Sequence, residues 1–135
     1  MSTDFMSLHK AGIGNAASYQ VAGKPFVSGN LAVPLLSGTP LRIDFPTVTR
    51  KIIVVNQGND DIRVGFSENG VKGTNFVLLN KKDGSTHGTI ELGVKVTSVF
   101  LLSSANATTA SLAAELTGID VLELKNNWSG SAGVG

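Results

Sequence analysis

The chain has 135 residues, 41% of them hydrophobic and 16% charged, with Lys+Arg 11 against Asp+Glu 10 and a net charge of +1. That length fits one domain, and the near-neutrality gives no long-range field to gather nucleic acid or an anionic lipid surface. With no cysteine, disulfides, thiolate metal sites and cysteine nucleophiles are excluded together, and a charge content well under the roughly 25% of ordinary soluble domains suggests a surface partly covered by other protein.

Residues 1–30 are rich in Gly, Ala and Ser and carry scattered apolar side chains, Phe5, Tyr19, Phe26 and Val27 among them. They sustain neither a helical nor a strand period, yet are too apolar for ordinary disorder, so they read as an extended arm. The segment has an early Asp4 and no signal-length apolar run, from which a protein made and kept in the cytosol, or released only by lysis or as part of a particle, is expected. The apolar runs LAVPLL, IIVV and VFLL fall far short of the roughly 20 residues a spanning helix needs, so no membrane partner is expected.

Residues 31–117 have strand texture. Pro34 marks LAVPLL as an edge strand or a bend. In PLRIDF, Leu41, Ile43 and Phe45 alternate with Arg42 and Asp44, the pattern of a half-buried strand. VTRKIIVVN is dense in β-branched residues and reads as a central strand. QGNDD is a turn, DIRVGF resumes the alternation, and SENGVKGTN reads as a loop. NFVLLN and GTIELG flank KKDGSTH, where Asp83-Gly84 signals a turn. VKVTSVFLL reads as a buried strand and SSANATT as a turn. ASLAAEL has helix-forming composition, but Leu112, Ala114 and Leu116 share one side among β-rich neighbours, so it reads as a strand. About eight short strands with turns between them predict an all-β, antiparallel sandwich or barrel.

Residues 118–135 hold IDVLEL, a further strand or docking segment, and then a tail of Gly, Ser, Ala and Val around Trp128, the chain's single tryptophan. Such a tail cannot close over an indole by itself. Phe5, Tyr19, Phe26, Val27, Leu122, Trp128 and Val134 are therefore the expected subunit-interface residues, since aromatic anchors in irregular segments favour interface centres. The competing reading folds both arms back over their own sandwich.

No catalytic, metal or cofactor site is expected. His9 and His87 lie in an arm and a turn, without a paired nucleophile or carboxylate. Asn59, Asp60 and Asp61 lack the spaced acidic partners of a calcium loop. Gly12 and Gly14 miss the third glycine and the preceding strand of a phosphate loop. Lys72, Lys81 and Lys82 read as turn solubilisers. A sugar-binding alternative would use Asn69, Asn75 and Asn106.

SYQVAGKPFVSGN, FPTVTRKIIVVN, VKVTSVFLLSS, AELTGI and NWSGSAGVG together resemble small virion proteins of double-stranded DNA viruses and phages, of the single jelly-roll penton type. The resemblance runs over most of the chain without a diagnostic motif. It implies an eight-stranded single jelly roll with extended N- and C-terminal arms. It also implies a non-enzymatic minor capsid protein at icosahedral vertices that forms a homo-oligomer, a pentamer in preference to a trimer. The major capsid protein would be the partner, and the protein would reside in the virion after assembly in the host cytoplasm. The chain is short for a vertex protein and lacks large loops. A head decoration or cement protein of a tailed phage, or a receptor- or carbohydrate-binding fibre-tip module, therefore stands as the alternative.

Overall fold

The structure, a computed structural model, describes residues 24–124. Their elements in chain order are β1 (Pro25–Val33), β2 (Leu41–Asp44), β3 (Thr47–Asn56), β4 (Ile62–Gly65), α1 (Glu68–Lys72), β5 (Val77–Leu79), β6 (Thr89–Leu92), β7 (Ser98–Ser103), β8 (Thr108–Asp120) and a 3-10 turn, Val121–Glu123. The strands form two four-stranded antiparallel sheets, in the orders β1-β8-β3-β6 and β2-β7-β4-β5. The all-β expectation holds.

Period-two alternation builds the core. Ile52 and Val54 of β3, Ile62 and Val64 of β4, Val99 and Leu101 of β7, and Leu112 and Leu116 of β8 all turn into one buried cluster. Each such side chain taken fully out of water stabilises the fold by about 1.5–3 kcal/mol. In β8, Ala110, Leu112, Ala114 and Leu116 are buried while Ser111, Ala113 and Glu115 are not. Its helix-prone composition is overridden because β1 and β3 both supply ladder partners.

Several boundaries differ from the sequence reading, each for a local reason. The expected junction between arm and sandwich at residues 30 and 31 falls inside β1. Pro25–Ser28 pair with Glu115–Leu112, a register shift follows at Gly29 and Asn30, and Leu31–Val33 pair with Ala110–Thr108. Asn30 takes φ 52°, so the irregular texture there is a bulge in an edge strand. At the other boundary, residues 118–120 continue β8 instead of starting a separate segment.

VKVTSVFLL gives a strand only from Ser98. Before it, the Thr49 hydroxyl donates to the Val94 carbonyl and accepts from the Val96 amide, standing in for a ladder partner. SENGVKGTN, expected as a loop, contains α1. Ser67 is its N-cap, accepting from the Gly70 amide at 2.9 Å, with Glu68 in the first turn and Lys72 in the last.

Candidate functional site

The two ends of the sandwich differ. At one end the connections β1–β2, β3–β4, β5–β6 and β7–β8 tie to one another. Leu36 N donates to Ala105 O at 3.0 Å, Lys82 N to Gly58 O at 2.9 Å and Ser104 N to Asp61 O at 2.9 Å. Asn56, fully buried, donates to Asp60 O and Leu79 O and accepts from Gly58 N. Asp61 accepts from the Lys81 amide at 2.7 Å. His87 Nδ1 lies 3.2 Å from the Asn56 carbonyl, which makes it the protonated ring nitrogen. The Asp61 carboxylate, the His87 ring and the Asp60 carbonyl thus fasten loops here. Among the described residues no group of three His, Asp or Glu comes together that could hold a metal ion.

The opposite end carries the β2–β3 corner, α1 and the points where the chain joins and leaves the sandwich. Lys24 O accepts from Leu116 N, and beyond Asp120 the 3-10 turn leads to Leu124. Asp120 caps that turn by accepting from the Leu122 amide at 3.0 Å. Residues 1–23 and 125–135 are therefore both attached at this end.

The outer faces of the sheets also differ. On β2-β7-β4-β5, α1 lies against β4 and β7. Gly65 makes this possible, since a Cβ there would sit 3.2 Å from Val71 Cβ and 3.3 Å from Asn75 O. Val71 and Leu102 are both fully buried although neither belongs to the central cluster. Arg63 closes the arrangement: its guanidinium lies 4.4 Å from the Phe76 ring centroid and donates to the carbonyls of Val71 and Lys72.

On β1-β8-β3-β6 no described element covers the outer face. One row across it reads Val27, Ala113, Ile53, Glu91, and Ser111, Val55 and Thr89 lie beside it. At its margin Lys51 pairs with Glu91 at 2.9 Å and Glu115 at 3.7 Å, while Arg50 reaches Glu115 at 3.5 Å. The hydrogen bond and charge of Glu91, then the charge of Glu115, raise the Lys51 pKa above its usual 10.5. The centre of this face is thus small, apolar or hydroxylic, and its charges neutralise one another.

Compared with known proteins, the chain matches no family model and no curated protein sequence.

Of the seven expected interface residues, Phe5, Tyr19, Trp128 and Val134 lie outside the described residues. Phe26 turns inward and meets Phe45 edge-on, with ring centroids 5.2 Å apart and planes at 82°. It serves its own subunit's core. Val27, its neighbour on the strand, points outward and is 76% exposed; Leu122 is 83% exposed. Sequence reasoning missed the half-buried Ile53 and Val55, whose β-branched run was read only as a central strand, and it missed the exposed Val77 and Leu78 of β5. Asn69 belongs to α1 and Asn106 to the β7–β8 connection at the opposite end, so the sugar-binding trio does not converge.

Proposed function

We propose that this chain is a non-enzymatic virion structural protein, a minor capsid subunit that associates with its own copies and with a major capsid protein. The observation that carries the reading is the interleaved strand order, β1-β8-β3-β6 over β2-β7-β4-β5. Every connection from β1 to β8 crosses between the sheets except β4–β5, and the last strand lies beside the first. We take this as a single jelly roll, the architecture that viral capsid, lectin and cupin domains use. Val27 and Leu122, both largely exposed, support self-association at the outer face and at the end where the chain leaves. A vertex pentamer is favoured; a head decoration trimer is the alternative, and the two differ in mass.

The test is sedimentation equilibrium on the full chain and on a chain ending at Leu124. The full chain is expected to give a multiple of the subunit mass, five in preference to three. The shortened chain is expected to lose association while its far-ultraviolet circular dichroism still reports a β-sandwich. A full chain that stays monomeric at high concentration overturns the proposal.

A further inference from the structure

The sheet β2-β7-β4-β5 ends in a three-residue strand whose outer edge has no partner strand among the described residues. An unpaired edge is open to a further strand, and β5 presents Val77 at 43% and Leu78 at 45% exposure beside it. Next to the strand opens a cavity of about 260 Å³. Val64 and Gly65, both buried, form its floor; Phe66, Phe76 and Val77 give it apolar walls; Thr74 adds a hydroxyl. The cavity is pre-formed, because Arg63 holds the Phe76 ring and the missing side chain at Gly65 lets the segment around Asn75 approach.

A hollow with apolar walls, beside a strand edge that no described strand pairs, suits an extended segment that contributes one large side chain and ladder hydrogen bonds. The chain has such a segment. Trp128 stands four residues beyond Leu124, and Ser129–Ala132 after it are small enough to lie close along a strand. β4 and β8 run in the same sense, since β4 is antiparallel to β7 and β8 turns back after β7. The cavity at the Gly65 end of β4 is thus at the end of the sandwich from which Leu124 leads out. Four residues span at most about 14 Å, so a neighbour that meets the molecule at that end comes within reach of the indole. A neighbour that meets the molecule there presents its own cavity to the indole. The ring buries its apolar body in such a hollow and needs one acceptor for Nε1–H, which the Thr74 hydroxyl offers.

We infer that the cavity beside β5 is the socket for Trp128 of a neighbouring copy, with that copy's tail lying along the β5 edge. This rests on the self-association proposed above and names its contact. Each copy gives one indole and receives one, which a reciprocal two-fold pair or a closed head-to-tail ring would satisfy.

All indole emission comes from Trp128, so the full chain is its own probe. Emission and sedimentation mass are measured on the same dilution series. Emission is expected at shorter wavelength in the oligomer, moving to longer wavelength as the mass falls to that of the monomer. Val77→Asp, at a half-exposed position, is expected to weaken association at least about tenfold and to red-shift emission at concentrations where the parent is oligomeric. Thr74→Glu on the exposed rim repeats the test should Val77→Asp lose its circular dichroism. An oligomer whose emission neither variant moves places the indole elsewhere and overturns this inference alone. Short-wavelength emission that persists in the monomer means the indole is covered by its own chain, and it overturns the inference in the same way. A chain monomeric at every concentration removes the self-association itself.

Discussion

The two sheets share one core but treat their outer faces in opposite ways. On β2-β7-β4-β5 the chain covers its own surface: α1 sits on Gly65, and Val71 and Leu102 are fully buried there. On β1-β8-β3-β6 no described element covers the corresponding surface, where Val27 on the edge strand lies beside Ala113, Ile53 and Val55 of the two central strands. A face covered by its own chain adds to the stability of the single subunit. An open apolar face adds nothing until a second molecule arrives. Buried residues of the covered face thus hold the chain folded, whereas exposed residues of the other face are those that the proposed self-association would use.

The largest effect expected is on the covered face. Leu102→Ala leaves a hole between β7 and the segment above it and should lower unfolding stability by about 2–5 kcal/mol in denaturant titration, with association per folded molecule unchanged. Gly65→Ala forces Val71 and Asn75 to give by a few tenths of an ångström, and about 1–3 kcal/mol should be lost in the same assay. A mutant as stable as the parent would mean that α1 is not seated there. Ser67→Ala removes the N-cap of α1 and should cost about 1 kcal/mol. On the open face the pattern inverts: Val27→Lys should change subunit stability by no more than about 0.5 kcal/mol yet lower the association state seen by sedimentation.

The smallest effect is electrostatic. Because Lys51 is held above its usual pKa, the native state binds that proton more tightly than the unfolded chain does. Its contribution is complete below pH 10.5 and is lost as pH rises through the native value. Lys51→Met should lower thermal stability slightly at neutral pH, where the contribution is complete, and flatten the decline above pH 10.5. An unaltered slope would show that the open face gains nothing from its ion cluster.

Much of this was legible in the sequence where the pattern is local. The β-branched run of β3 and the alternation of Leu112, Ala114 and Leu116 gave strands because inward positions recur every second residue. Pro34 ended β1, and Asp83-Gly84 made a turn with Gly84 at φ 62°. What depended on distant contacts was not legible. α1 is only five residues long and is held by Val71 against Gly65, which no periodicity in SENGVKGTN reveals. The β1 bulge disguised a strand as an arm. Val27 and Leu122 stood out as apolar residues in irregular surroundings. The cavity beside β5 did not, because it is made by an absent side chain and by a ring pinned under an arginine from another strand.

The placement of β8 bears on the order of events during synthesis. β8 stands between β1 and β3, so until Thr108–Asp120 has left the ribosome β1 lacks the strand it pairs with among the described residues. Ladders that join such remote stretches form late. A nascent chain halted before residue 108 would therefore expose the raw edges of β1 and β3 together, an invitation to quality-control proteases.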